Sequence, residues 1–166
     1  MILVLALLIL FCACQPTPPA PPAATSTAPS QERITVYFTD ANRYATGTPP
    51  FEVAVTRFVP VGTNLPEAVL IEFFKGPTEE ERARGLEAIT SGFTGFDRLE
   101  VEEDGIARIY LTGPCASLGA TYTIAQPLLQ NLLQFDEIQY VKIYDAEGVT
   151  GQPEGASNSI PPCLEP

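Results

Sequence analysis

The four cysteines are the side chains of this sequence with the most specific chemistry. Cys12 and Cys14 lie at the end of an apolar run, whereas Cys115 and Cys163 follow Gly-Pro and Pro-Pro pairs in the second half of the chain. Histidine is absent, so the base that most often activates a cysteine nucleophile is missing. Lipid attachment and disulfide formation are therefore the favoured chemistries, and a catalytic cysteine is the weaker alternative.

Carboxylates are the second group with chemical potential, because two of them held about 5–10 Å apart can hydrolyse a glycosidic bond. Four acidic residues crowd one predicted hairpin turn: Glu100, Glu102, Glu103 and Asp104. A tight turn exposes and separates such side chains, so we interpret them as a solvated edge. The glutamates at residues 79–81 fit a solvated helix start, and residues 145–148 lack the spaced ligands of a calcium loop. The sequence predicts no catalytic residue, no metal site and no cofactor.

Composition sets the broad class of the protein. The chain has 166 residues, with 20 acidic against 9 basic side chains and a formal net charge of −11. At roughly 100–200 residues per domain, this length corresponds to one domain with appendages. A nucleic-acid binder needs clustered Lys and Arg to contact phosphates, so the charge argues against nucleic-acid binding.

The beginning of the chain has the pattern of an export signal. Residues 1–11 are all apolar, which is shorter than the roughly 20 residues of a transmembrane helix and fits the core of a signal peptide. Ala13 then precedes Cys14, and this arrangement resembles the lipobox of bacterial lipoproteins. We predict a signal peptide at residues 1–13 and a lipid on Cys14, which anchors an extracytoplasmic protein to the membrane. The alternative is an N-terminal anchor that is never cleaved.

The two ends of the chain have the composition of appendages. Residues 14–32 are rich in Pro, Ala, Ser and Thr, which is typical of an extended tether. Such a tether could hold the domain up to about 50 Å from the membrane. We assign residues 33–150 to the domain and residues 151–166 to a tail rich in Gly, Pro and Ser. If Cys14 carries lipid, Cys115 and Cys163 remain as a pair, and we predict a disulfide that pins this tail.

The elements of the domain follow from hydrophobic patterns and cap residues. Residues 34–39 and 51–59 have the β-branched pattern of strands, with a loop at residues 40–50. Helices are predicted after Asn64, Thr78 and Thr123, and the last two begin with capping boxes. The Asp104-Gly105 pair predicts a hairpin between strands at residues 96–102 and 106–111, and a last strand covers residues 138–144. The order ββα(α)ββαβ predicts an α+β domain with helices on one face of a mixed sheet.

Four segments together suggest a family: ITVYF, FFKGPTEEERARGL, VEEDGIARIYLTG and IQYVKIY. Their order resembles the GerMN domain, which occurs in sporulation and spore-germination lipoproteins and in envelope proteins of non-sporulating bacteria. The resemblance covers most of residues 34–148 and implies a fold similar to the ring-building motif, a small module that packs side by side in larger assemblies. It implies no active site, and Cys115, Cys163 and the tail are additions to the usual domain.

Three functional hypotheses follow. The first is a non-enzymatic, membrane-anchored lipoprotein that contacts other envelope proteins or assembles with itself. The second is a module that binds cell-wall glycan or peptide near Tyr44, Tyr122 and Tyr140, which requires exposed and coplanar rings. The third is a wall hydrolase, which requires a deep pocket with two acidic side chains.

Overall fold

The computed structural model describes residues 30–166 of the chain. The strands of this part are β1 (Gln31–Asp40), β2 (Glu52–Pro60), β3 (Leu86–Glu87), β4 (Gly95–Val101), β5 (Ile106–Thr112) and β6 (Tyr140–Tyr144). Its helices are α1 (Ala41–Thr46), α2 (Leu65–Lys75), α3 (Glu79–Ala83) and α4 (Ala125–Leu132). The predicted signal peptide at residues 1–13, Cys14 and most of the predicted linker lie outside the described residues.

The strands form two small sheets. Sheet A has the order β2-β1-β3 and is antiparallel, whereas sheet B has the order β4-β5-β6, with β5 and β6 parallel. The predicted α+β class is confirmed, with the predicted order of the main strands and helices, and sheet B is mixed as expected. The prediction of a single sheet missed that β1 and β2, together with the two-residue β3, form a sheet separate from β4, β5 and β6.

Two amide side chains, Asn131 in α4 and Gln134 just after it, explain why sheet A ends at β1 over much of that strand. The Asn131 side-chain amide accepts a hydrogen bond from the Tyr37 N–H and donates one to the Tyr37 C=O, both at 2.9 Å. Gln134 donates to the Thr35 C=O at 3.2 Å. These amides occupy backbone groups that a neighbouring strand would need, so sheet B cannot continue sheet A here.

One hydrophobic core joins the sheets and the two longer helices. Helix α2 begins at Asn64, whose side chain accepts from the Glu67 N–H, and ends at Gly76. Phe73 of α2 is fully buried and stacks on Phe38 of β1 with ring centroids 5.8 Å apart. Helices α2 and α4 contact each other, and each contacts strands of both sheets. The core therefore lies between the sheets, and α2 and α4 both contribute to it.

The segment at residues 40–50, predicted as a loop, contains helix α1. Asp40 caps this helix by accepting hydrogen bonds from the N–H groups of Asn42 and Arg43. Gly47 closes it with φ of +64°, a conformation that glycine adopts at little cost. The prediction missed α1 because a six-residue helix has no hydrophobic repeat, and none of its residues is buried.

Helix α3 is held to sheet A by a charged pair. The predicted capping box is confirmed, because Thr78 accepts from the Glu81 N–H and Glu81 accepts from the Thr78 N–H. The same Glu81 carboxylate receives two hydrogen bonds from Arg57 of β2, at 2.8 and 2.6 Å. Glu81 is buried, so this glutamate is a structural group and does not belong to a solvated helix start.

The C-terminal tail packs against sheet B. Cys115 and Cys163 form a disulfide with a Cα–Cα distance of 6.2 Å. Ser159 forms a parallel bridge to Lys142 of β6, so the tail covers the outer edge of that strand. Lys142 is fully buried, and its Nζ donates to the carbonyl groups of Gln152 at 2.6 Å and Glu154 at 3.2 Å. The tail is thus fixed by covalent, backbone and charged contacts.

Candidate functional site

The side of sheet A that faces away from the core is an open sheet surface of the described domain. Because side chains alternate along a strand, the neighbours of the buried Ile34, Val36 and Phe38 point outward. We call this surface the sheet-A face, and it consists of Arg33, Thr35, Tyr37, Ala54, Thr56 and Phe58. Thr35 and Tyr37 of β1 are half-buried, whereas Arg33 and the three residues of β2 are exposed.

Apolar side chains are exposed at one end of the sheet-A face. Phe58 is 63% exposed and lies directly opposite Arg33 in the β1–β2 register. Val61, just after β2, is 60% exposed, and its N–H donates to the Ser30 C=O. Exposed aromatic and β-branched side chains beside an arginine are typical of protein-binding surfaces.

Three aromatic rings close the other end of the sheet-A face. Tyr44, Phe51 and Tyr122 contact one another with ring centroids 4.9–5.8 Å apart. The Tyr122 hydroxyl donates to Glu52 Oε1 at 2.6 Å and lies 3.1 Å from Thr39 Oγ1. Burial, together with the neighbouring Glu52 carboxylate, raises the pKa of Tyr122 above its ordinary value. This cluster is therefore packed and hydrogen-bonded, and it covers this end of the sheet-A face.

The tyrosines proposed as a glycan platform do not form one. Tyr44 and Tyr122 are in contact, but their rings are tilted by 40°. Tyr140 lies on β6 of the other sheet, where its register partner is Ile106. The sequence prediction grouped the three residues by type, whereas the fold separates Tyr140 from the other two.

Three of the four acidic residues of the hairpin, Glu100, Glu102 and Asp104, pair with arginines on the outer side of sheet B. Arg108 contacts Asp104 at 2.7 Å and Glu102 at 3.2 Å, and Arg98 contacts Glu100 at 2.8 Å. The hydrogen bond from Arg108 lowers the pKa of Asp104, whereas the general acid of a glycosidase needs a raised pKa. These carboxylates therefore have the electrostatics of ion pairs.

The outer side of sheet B also carries a row of stacked side chains. The Arg98 guanidinium lies 3.4 Å from the centroid of the Tyr110 ring, and Tyr110 stacks on Tyr144 with centroids 4.6 Å apart. The row borders an open groove of about 430 Å³ that also contains Asp145 and Glu147. Because Arg98 is already paired with Asp97 and Glu100, its charge is largely satisfied within the protein.

Two further findings apply to residues 30–166. No group of three or more Cys, Asp or Glu side chains in this part of the chain is arranged to hold a metal ion. None of its helices has the length and apolar character needed to cross a membrane.

Sequence patterns did not identify the sheet-A face or the role of Lys142. The sequence does show that Ala54, Thr56 and Phe58 alternate with valines. The aromatic Phe58 among the outward-facing residues was the signal that could have indicated a binding surface. The burial of Lys142 had no local signal, because the carbonyl groups that bind it lie 10 and 12 residues further along the chain.

Comparisons with known proteins identify the family. Residues 35–152 match the Germane family, described as sporulation and spore germination. The fold is similar to the tandem GerMN domains of the sporulation protein GerM from Bacillus subtilis, with a TM-score of 0.51 and 21% identity over 78% of this chain. It is also similar to the first GerMN domain of the same protein, with a TM-score of 0.50 and 20% identity over 76% of this chain.

These structural matches concern the folded domain, and they show its fold. The chain spans 44% of the tandem structure and 92% of the single-domain structure. No curated protein matches the chain. The family match covers well over half of the sequence and includes the segments on which the resemblance was based. The chain belongs to the Germane family of sporulation and spore germination, and its folded part is a GerMN-type domain.

Proposed function

We propose that this protein is a non-enzymatic lipoprotein of the cell envelope, and that its GerMN-type domain acts in an envelope or sporulation-type assembly by binding other proteins. The family supports the process, since GerM of Bacillus subtilis is a sporulation protein. The observation that carries the proposal is the sheet-A face, where Phe58 is 63% exposed on an edge strand. Phe58 lies at the same end of this face as Arg33 and the exposed Val61, and aromatic and arginine side chains are enriched at protein-binding interfaces.

A crosslinking experiment in the host bacterium tests the protein-binding role. A photoreactive phenylalanine analogue replaces Phe58 in the full chain, and the control variant carries it at Leu118, which is 96% exposed. Irradiation should yield protein adducts from position 58 that position 118 does not give. Adducts at neither position, or the same adducts at both, would contradict binding through the sheet-A face.

The proposed membrane anchor depends on Cys14. The apolar run at residues 1–11 and the Ala13-Cys14 pair support lipid attachment, and the Pro-rich residues that follow support a tether. A labelled fatty acid supplied to growing cells should enter the wild-type protein and the Cys12→Ser variant, but not the Cys14→Ser variant. Label retained in the Cys14→Ser variant, or absent from the wild type, would contradict the assignment.

A further inference from the structure

Strand β2 has an open edge that differs from the other strand edges of the described domain. Sheet A ends at β2, which pairs only with β1 along nine consecutive residue pairs. By contrast, Ser159 covers the edge of β6, Asn131 occupies the second edge of β1, and the register of β4 is irregular between Phe96 and Arg98. Natural proteins usually protect a long and regular edge, so the open edge of β2 suggests a pairing surface.

The hydrogen bonds of β1 reveal which backbone groups of β2 face this edge. The Asp40 N–H donates to the Phe51 C=O, and the Val61 N–H donates to the Ser30 C=O. Hydrogen-bonded pairs alternate along an antiparallel ladder, so the odd-numbered residues of β2 bond to β1. The N–H and C=O groups that point to the open edge therefore belong to Glu52, Ala54, Thr56 and Phe58, with the C=O of Pro60.

A contact of Arg57 agrees with this assignment. Its Nη1 donates to the Thr56 C=O at 3.1 Å, so that carbonyl is not used by β1. At the opposite edge of β1, Asn131 binds the N–H and C=O of Tyr37. The same alternation predicts that these two backbone groups point away from β2. The open edge thus has donors and acceptors at every second residue that strand β1 does not use, and the Thr56 C=O keeps a second lone pair beside the one that accepts from Arg57.

The sequence of β2 is complementary to itself in one antiparallel register. With Thr56 opposite Thr56 of a second copy, all nine residues of both strands are paired. Ala54 then lies opposite Phe58 of the second copy, so a small side chain leaves room for a large one. Glu52 faces Pro60 and Arg57 faces Val55, so no like charges are opposed. In this register the backbone groups that point to the open edge lie opposite each other, so they can form the hydrogen bonds between the two copies.

The distribution of charge favours approach through the same region. Residues 31–60 contain three acidic and three basic side chains, whereas residues 61–166 contain 17 acidic and 6 basic ones. The whole net charge of −11 therefore lies outside the β1–β2 region. Two identical chains repel each other least when they meet through this neutral part.

We infer that a second copy of this chain pairs with the open edge of β2, antiparallel and centred on Thr56, so that two A sheets form one continuous sheet. This inference rests on the proposed function in that the partner is a protein. The pairing has two-fold symmetry and uses the same surface on both copies, unlike the head-to-tail packing that closes a ring.

Cysteine crosslinking of the full chain in its membrane tests the register. Thr56→Cys places two cysteines opposite each other at about 5.5 Å between Cα atoms, within the range of a disulfide. Ala54→Cys is the matched control, because in this register two such cysteines lie about 13 Å apart. Mild oxidation should produce a dimer band with Thr56→Cys and none with Ala54→Cys. No dimer with Thr56→Cys, or equal dimer with both variants, would overturn the inference.

A second measurement does not depend on added cysteines. In Thr56→Pro the edge N–H is removed, while the ladder to β1 keeps its hydrogen bonds. Circular dichroism and retention of the native disulfide verify folding. In detergent, the mass of the full chain should fall to that of a monomer in Thr56→Pro and remain dimeric in Leu118→Lys. A wild-type monomer, or a dimer that Thr56→Pro does not affect, would overturn self-pairing. Crosslinks from Phe58 to a different protein would then leave the proposed function standing.

Discussion

At the scale of single residues, Glu81 links helix α3 to strand β2. Its carboxylate completes the cap of α3 and accepts two hydrogen bonds from the Arg57 guanidinium. The hydrogen bonds from Arg57 outweigh the cost of burial and lower the pKa of Glu81 from 4.5 to about 2. The ionised carboxylate therefore stabilises the fold, because the folded state binds the proton less tightly than the unfolded chain.

The first prediction concerns the pH dependence of this pair. Because the folded pKa is depressed, the contribution of Glu81 is fully present above pH 4.5 and is lost as the pH falls toward 2. Glu81→Gln should lower the free energy of unfolding by roughly 2–4 kcal/mol at pH 7. The difference from the wild type should shrink between pH 5 and pH 2, which denaturant titrations at several pH values can measure. A difference that does not change with pH would contradict the role of the charge.

A second prediction concerns Lys142, whose buried ammonium group holds the tail. Lys142→Met keeps much of the apolar stem but removes the donors to the carbonyl groups of Gln152 and Glu154. The tail should then open more often, and amide hydrogen exchange should accelerate at Gly151 and Gln152, whose N–H groups donate to the Ile160 C=O and to Ser159 Oγ. Exchange in β1, on the other sheet, serves as the internal control and should stay unchanged. Equal acceleration in both regions would indicate general destabilisation.

At the scale of elements, the contact of α4 with β1 determines how the strands are divided. Asn131 is fully buried and satisfies both backbone groups of Tyr37. It also donates to the Pro127 C=O within its own helix at 2.8 Å. One side chain therefore fixes the position of α4 along β1 and ends sheet A on that side.

A third prediction follows for Asn131→Leu. The new side chain has a similar volume, but it leaves the N–H and C=O of Tyr37 buried without partners, and each such group costs about 1–3 kcal/mol. We expect the free energy of unfolding to fall by roughly 2–5 kcal/mol, measured by denaturant unfolding. Gln130→Leu, one position earlier on the exposed side of α4, is the control and should have little effect.

Elements with local signals were predictable, and those that depend on distant contacts were not. The capping box of Thr78 and the turn at Asp104-Gly105 depend on residues within three positions of each other, and the structure contains both. The separation of the two sheets depends on Asn131 and Tyr37, which are 94 residues apart. Helix α1 similarly needs the hydrogen bond from the Ala41 N–H to the Gly85 C=O. For the candidate surface, the sequence showed that outward and inward side chains alternate along β2. It did not show that no other strand pairs with the outer edge of β2 in the described domain.

At the scale of the whole molecule, the chain has one neutral and one acidic region. The stacked Arg98, Tyr110 and Tyr144 row lies in the acidic part, and the sheet-A face lies in the neutral part. This asymmetry orients the protein relative to charged partners, since like charges repel at distances up to the Debye length. Protein contacts through the sheet-A face therefore meet the least electrostatic opposition.

The fourth prediction uses this asymmetry. If two copies meet through the neutral region, the remaining acidic parts still repel at low ionic strength. Raising the salt concentration from about 0.01 M to 0.15 M shortens the Debye length from about 30 Å to 8 Å. Self-association of the full chain should therefore become tighter, as analytical ultracentrifugation can measure. Weaker association at the higher salt concentration would indicate an interface of opposite charges instead.

The bond between Cys115 and Cys163 makes a closed covalent ring from the residues between them, which include α4 and β6. A protease that cuts anywhere inside this ring opens a loop but releases no fragment. The exposed residues 151–156 are the accessible part of the tail, and a single cut there leaves both new ends attached to the domain. The chain can thus be nicked once in the tail and remain one covalent piece, and the nick becomes visible only when the sample is reduced before electrophoresis.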